Sequence, residues 1–326
     1  MAKQLFMEIT KKCNQNCIFC IHPYNRKDAT DVDFEFIKKR IREAIKEKVD
    51  YFLISGGEPT MHKNILEIVS YAKKLKIKNI ELQSNGQNLS NMSFVKKLKK
   101  NGITKINVSF HAHTEKLLNS IRGVNKGYHK TIRGMKNCLK AGIKLGIIIV
   151  NCSENYKKLP GLIKFIDKNF AEADNINISL VAPEGRVLNN TKLVMKYSDF
   201  KPYLIKALEI CKKSKIKNFD VSSTVPLCLV DGYENHVIST IFLLTKHVII
   251  DDHCNVLKIK DIKSKEFNNL DDNLAGKAPQ CSKCTLNSIC VGFFPKYGEI
   301  NGYDDFIPSK KSLKDIVKQI KKYNQI

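Results

Sequence analysis

The 326-residue sequence has no run of about 18 apolar residues, the length a helix needs to span a bilayer, so no membrane span is expected. Met1-Ala2-Lys3-Gln4 leads almost at once into a first apolar run, which leaves no room for a secretory signal. A cytoplasmic location is expected, with no separate leader-binding domain ahead of residue 5. Acid is scarce: 32 Asp and Glu stand against 56 Lys and Arg, for a formal net charge of +24. Such an excess could favour nucleic acid or an acidic peptide. The sequence, however, shows no RNA-recognition motif and no basic stripe interleaved with aromatics. Its lysines are spread over nearly every expected helix, as in Val95-Lys96-Lys97-Leu98-Lys99-Lys100. The charge reads as a solvated basic surface, and nucleic acid is not an expected partner. At 43% hydrophobic residues the chain can bury a sizeable core.

Eleven cysteines imply metal ligation in a reducing compartment rather than a disulfide framework. Cys13, Cys17 and Cys20 follow the apolar run 5–9 directly. Three thiolates on one tight loop can hold three irons of a [4Fe–4S] cluster and leave the fourth iron open to a ligand. A zinc site usually takes four closed ligands at shorter spacings, and disulfides are rare in the cytosol. Gly56-Gly57-Glu58-Pro59 follows the apolar run 51–54. The glycine pair lets backbone approach a ligand closely, and Glu58 adds a carboxylate for an ammonium group. Alone, the four residues are a turn. In this order and spacing, the two motifs resemble the radical S-adenosylmethionine (SAM) superfamily over roughly residues 5 to 185. The resemblance implies that the open iron chelates SAM. One electron then splits SAM into methionine and a 5′-deoxyadenosyl radical, which takes a hydrogen atom from substrate. It also implies an electron donor such as flavodoxin or ferredoxin.

Apolar runs at 5–10, 51–54, 79–83, 105–110, 145–150 and 176–181 alternate with helical spacings. This rhythm predicts βα units with parallel pairing, an α/β fold similar to the partial (β/α)6 TIM-type barrel of the superfamily. Ligands of such barrels bind at the C-terminal strand ends. The cysteine loop, Gly56-Gly57 and Ser84-Asn85-Gly86 all fall there. The resemblance further assigns Phe19 to adenine packing (or loop packing), Ser109 and Arg122 to the SAM carboxylate, and Val181 to adenine through its backbone. Arg suits a planar carboxylate. His111 and His113 follow the fourth strand; a rim histidine can act as acid or base or line the substrate. Asn155 reads as an N-cap.

Past residue 185 the rhythm weakens. A helix is expected at 199–213, with β-like runs at 237–244 and 247–250. Cys281, Cys284 and Cys290 form a CxxCx5C array, a metal-binding signal for which zinc is an alternative. Beside a radical SAM core it resembles the SPASM and twitch extensions that carry auxiliary clusters. That pattern has a further cysteine where this chain has Phe294, so one auxiliary [4Fe–4S] cluster is expected, with Cys228 or Cys254 as fourth ligand, or an open iron. The expected division is a barrel core at 1–185, a connecting helix and bridging region at 186–221 and an auxiliary-cluster domain at 222–326. Cys138 and Cys211 read as small buried hydrophobes. Cys152, or whichever of Cys228 and Cys254 is not a ligand, is a candidate thiol for returning a hydrogen atom to a substrate radical. A peptide substrate, crosslinked or epimerised, is the favoured expectation; the alternatives are a sugar or cyclitol as substrate and a non-catalytic nucleic-acid sensor.

Overall fold

The computed structural model describes residues 3–22, 29–216, 218–222, 225–245, 248–250, 256–258 and 276–325. Seven parallel strands form a half-barrel: β1 Lys3–Glu8, β2 Tyr51–Ser55, β3 Asn79–Ser84, β4 Lys105–Ser109, β5 Lys144–Asn151, β6 Asn175–Leu180 and β7 Asn218–Val221. Each strand pairs in parallel with the next in chain order. The parallel α/β architecture was legible in the alternation of apolar runs. The seventh strand was not: β7 lies inside the stretch expected to be a bridging region, and it pairs with β6 at Asn175–Asn218 through Ile178–Val221.

Alternate residues of each strand are apolar and buried, such as Phe52 and Ile54, Ile80 and Leu82, or Ile147 and Ile149. They pack against helices including α1 Phe34–Lys46, α2 Ile65–Lys74, α3 Met92–Asn101, α4 Glu115–Arg122, α5 Tyr128–Lys140, α6 Leu159–Asn169 and α7 Tyr197–Lys213. Local chemistry sets the helix starts. Asp33 caps α1 by accepting from Phe36 N at 3.0 Å, and Asn91 caps α3 by accepting from Ser93 N at 2.9 Å, each satisfying an orphan first-turn donor.

The other strand face lines the lumen, and across β3 to β7 one row of it is polar apart from a glycine. Gln83, Asn107, Gly146, Asn175 and Asn218 form one register-matched row across β3 to β7. Gly146 is the gap in this row. A Cβ there would come within 2.0 Å of Asn107 Oδ1 and 2.8 Å of Asn175 Oδ1.

The open side of the half-barrel is crossed by a helix. Val237 bridges to Val221 at the β7 edge, α8 Ile238–Thr245 follows, and β8 Val248–Ile250 then pairs in parallel with Lys3–Leu5 of β1 at the opposite edge. The strand expected at 247–250 is therefore present. The β-like run at 237–244 is instead α8. Six apolar residues interrupted by Ser239 and Thr240 carry no decisive period, and a helix is what spans the gap between the two sheet edges. A short β9, Val256–Lys258, pairs antiparallel with β8. Two further helices, α9 Pro295–Asn301 and α10 Leu313–Asn324, lie after the CxxCx5C array. No helix among the described residues is long and apolar enough to cross a membrane.

Gly146→Ala should destabilise the protein by about 1–3 kcal/mol, the usual cost of overpacking a filled site, measured as a shift in the urea unfolding midpoint with unchanged m-value.

Candidate active site

The loop carrying Cys13, Cys17 and Cys20 leaves the C-terminal end of β1 and is held by backbone rather than by its own side chains. Asn16 N donates to Arg122 O at 2.8 Å, Ile18 N to Ile121 O at 2.9 Å, and Cys20 N to Cys17 O at 3.2 Å. From β2, Gly57 N donates to Thr10 O and Glu58 N to Lys12 O, both at 2.7 Å. This contact is possible because residue 57 has no side chain: a Cβ there would sit 2.3 Å from Lys12 O. The Gly-Gly turn thus presses directly on the cysteine loop. All three cysteines are half-buried residues.

Glu58 is fully buried. Its Oε1 accepts from Ser84 Oγ at 2.8 Å and from the amide and hydroxyl of Thr60; its Oε2 accepts from Asn85 N at 2.7 Å. Burial raises its pKa, and these hydrogen bonds oppose the shift. The sequence reading reserved this carboxylate for an ammonium group. The structure uses it to brace the Gly-Gly turn against the end of β3, because four internal donors already converge on it. Pro59 opens the one-turn 3₁₀ segment Pro59–Met61 that follows.

Arg122 is the central cation. At 0% exposure, it donates from Nη1 to Thr131 Oγ1 at 2.7 Å and from Nη2 to the carbonyls of Asn85 and Ser109. Burial lowers its pKa to about 10, opposed by Cys17, Glu58 and Cys13. It therefore stays charged at neutral pH beside two of the three thiols. Burial pushes the Cys17 thiol up to about 12; Arg122 lowers it, and Cys13 and Cys20 raise it. Buried thiols of this kind give up their protons to a metal centre rather than to water. Three buried donors here have no acceptor: Arg122 Nε, Gln15 Nε2 and Gln87 Nε2. Orphan donors around a thiol-bearing loop fit an acceptor-rich, negatively charged group. The sequence reading missed Asn14, Gln15 and Gln87. Asn85 Nδ2 donates to Asn14 Oδ1 at 2.6 Å and so ties the cysteine loop to the end of β3.

Phe19 packs edge-on against His111 with ring centroids 5.0 Å apart. His111 Nδ1 accepts from Val150 N at 3.1 Å, which places the proton of the neutral ring on Nε2. Burial and then Arg122 push its pKa down to about 3. The ring is therefore held neutral near pH 7, with its Nε2 proton free to donate. His113 packs on Phe165 of α6, ring centroids 5.9 Å apart, away from the loop. Asn155 stands at the N-cap position of the one-turn segment Tyr156–Lys158, but its side chain makes no capping hydrogen bond there. Its amide donates to His111 O and Val150 O at 2.9 and 2.8 Å and accepts from Cys152 N at 2.8 Å, clamping the ends of β4 and β5. Cys152 is fully buried, and burial pushes its thiol up to about 11, which keeps the S–H protonated. Cys138 and Cys211 are likewise buried. Val181 N donates to Asn151 O at 2.9 Å, so its amide is engaged within the sheet end. Arg186 covers the cysteine loop, donating from its amide to Cys20 O at 3.0 Å and from Nη1 to Cys17 O at 3.3 Å.

A second group of thiols lies in the C-terminal part. Cys228, Cys281, Cys284 and Cys290 line one cavity. Burial pushes the Cys228 thiol up to about 12, and Cys290, Cys281 and Cys284 add to the rise. Ser309 N donates to Cys284 Sγ at 3.3 Å, and Lys277 Nζ to Cys290 O at 2.6 Å. Among the described residues, no three His, Cys, Asp or Glu side chains converge on one bare ion. Four thiols around one cavity are the donor set of a thiolate-held metal centre. Cys254 lies outside the described residues.

Residues 7–166 match the family model described as the radical SAM superfamily. This segment is a radical SAM superfamily domain. The family uses SAM and a [4Fe–4S] cluster, and the C-terminal cysteines are consistent with an auxiliary-cluster extension. Among curated radical SAM relatives, 7,8-dihydro-6-hydroxymethylpterin dimethyltransferase of Methanocaldococcus jannaschii is 28% identical over 192 residues, 57% of this chain and 38% of that protein. Fe-coproporphyrin III synthase of Methanosarcina barkeri is 28% identical over 168 residues, 49% of this chain and 40% of that protein. The chain thus spans less than half the length of either relative. Among solved structures, Streptococcus suis SuiB bound to its precursor peptide SuiA superposes with a TM-score of 0.64 at 20% identity, covering 95% of this chain and 75% of that one. The native anSMEcpe structure with bound AdoMet superposes with a TM-score of 0.64 at 15% identity, covering 99% of this chain and 97% of that one. These similarities show the fold.

A histidine with its folded pKa near 3 and an ordinary value of 6.5 binds a proton in the unfolded chain first. Its contribution to stability is complete above pH 6.5 and is lost as pH falls toward about 3. Urea midpoints of the cluster-free protein should fall over that window, and more shallowly in His111→Gln, which keeps an acceptor for Val150 N.

Proposed function

We propose that this protein uses SAM to generate a carbon radical that takes a hydrogen atom from a peptide, leading to a crosslink, an epimerised residue or a related Cα/Cβ change. The observation that carries the radical part is the clamp between the two motifs: a three-cysteine loop pinned against Gly57 and Glu58, with Arg122 buried beside it. When bound to Cys13, Cys17 and Cys20, a [4Fe–4S] cluster supplies the single electron that splits SAM. The chain's own residues do the rest by placement. Gly56 and Gly57 keep side chains out of the way, so that backbone reaches the ligand. Arg122, with one unpaired donor, and Ser109 at the end of β4 are the partners assigned to a carboxylate. Phe19 and Val181 are assigned to the adenine side. The neutral His111 offers its Nε2 proton and does not take one. Arg186 and Phe19 cover the loop and exclude water, which radical chemistry requires.

The peptide reading draws support from the architecture as a whole. The likeness to SuiB extends over the C-terminal part, where Cys228, Cys281, Cys284 and Cys290 are assigned to one auxiliary cluster. An electron donor of the flavodoxin or ferredoxin type completes the system. The names of the sequence relatives favour a second reading, in which the substrate is a small molecule. A mass or chirality change in a peptide encoded beside this gene, incubated with enzyme, SAM and reductant, supports the first; inertness of every such peptide supports the second.

Anaerobically reconstituted protein treated with dithionite should release 5′-deoxyadenosine, detected by liquid chromatography and mass spectrometry; none, with or without substrate, refutes the radical reading. Iron should be about eight atoms per chain and about four in Cys13→Ala/Cys17→Ala/Cys20→Ala, which should make no 5′-deoxyadenosine. Cys228→Ala should disturb only the second cluster's spectrum and leave SAM cleavage measurable.

A further inference from the structure

Inward side chains of closed barrels ordinarily fill the lumen in packed layers. Here they leave a cavity of about 470 Å³, walled by β3, β4, β6 and β7, by α8 and by the last turn of α10. Two carboxylates line it. Glu81 Oε2 accepts from Asn107 Nδ2 at 3.0 Å, and Asp220 accepts from Asn175 Nδ2 at 3.2 Å and from Asn177 Nδ2. Every one of these donors is a neutral amide. The lysine that lines the cavity, Lys105, is paired with Asp174 at 2.7 Å. Neither Glu81 nor Asp220 has a salt-bridge partner among the described residues. Burial raises the pKa of Asp220; the two amides and the more distant Lys105 act against the rise.

A carboxylate has about four acceptor positions, and amides alone leave each of these groups without an ion pair. Lys105, the lysine in this lining, is committed to Asp174, so two acids without an ion pair among the described residues mark a place for a cation that arrives from outside. The same wall carries Ile238, Ile241 and Phe242 of α8, an apolar side suited to a methylene stem. Asp220 shares a register row with Asn177, Ile148 and Ser109. That row ends at Ser109, the last residue of β4.

We propose that this cavity binds the cationic end of the substrate, an ammonium or guanidinium group on an alkyl stem, and so selects what the barrel accepts. Only the word substrate rests on the radical SAM reading; the binding site does not. Isothermal titration of agmatine, which carries both groups on one stem, into reconstituted full-length protein without reductant reads the site directly. Saturable binding is expected, weakened about tenfold in Asp220→Asn and again in Glu81→Gln, with no binding of glutarate, a stem of opposite charge. The two substitutions lie on different strands, and circular dichroism identifies a variant that fails to fold, so the other still decides. No agmatine binding, equal affinity in the folded variants, or a preference for glutarate overturns the proposal. SAM cleavage by the unaltered protein is measured separately. A protein that cleaves SAM but ignores agmatine loses this site alone, whereas one that binds agmatine and never cleaves SAM loses the proposed function and keeps the site.

Discussion

The buried guanidinium of Arg122 is the interaction on which the catalytic end of the barrel depends. It joins the carbonyls at the ends of β3 and β4 to Thr131 of α5, and its own carbonyl receives the amide of Asn16 in the cysteine loop. An isolated charge in such a place would cost several kcal/mol. It is tolerated because carbonyl oxygens, a hydroxyl, the Glu58 carboxyl and two cysteine sulfurs surround it. Removing the positive charge would loosen the loop and leave the thiols without a neighbour that favours their ionised form.

The charge distribution reverses between outside and inside. The exterior is strongly basic, through lysines spread over the helices. The cavity on β3 to β7 is lined by carboxamides and by two acids, Glu81 and Asp220, that have no ion pair among the described residues. Carboxamides both donate and accept, so this lining suits a ligand rich in hydrogen-bonding groups rather than an apolar chain. Nothing in local helix or strand formation requires it; the same strands would pair as well with valine or leucine in those positions. The polar lumen therefore concerns what the barrel holds, while the apolar outer face concerns how it folds.

The two cysteine groups are made differently. Cys13, Cys17 and Cys20 sit on one short loop, and what holds them comes from elsewhere: Gly57, Arg122 and Arg186. The second group takes three members from one segment and Cys228 from a turn far earlier in the chain. Its surroundings, Lys277 and Ser309, bond to the cysteine carbonyls and sulfur, contacts of the sort that tune a cluster.

What the sequence by itself determined is local. The spacing of the cysteines, the Gly-Gly-Glu-Pro turn and the alternation of apolar runs are short-range patterns, and each follows from the geometry of a few consecutive residues. They were enough to read the parallel barrel and the superfamily. Tertiary structure decided whatever depends on residues distant in the chain. Glu58 became a brace, because Ser84 and Asn85 arrive from another strand with donors for it. His111 lost its basicity, because burial and Arg122 surround a ring that in isolation would titrate near neutral pH. The run after Val237 became a helix, because two sheet edges had to be joined across an open side. Local sequence encodes propensity and spacing; which groups are desolvated, and beside what, is fixed only when separate strands are brought together.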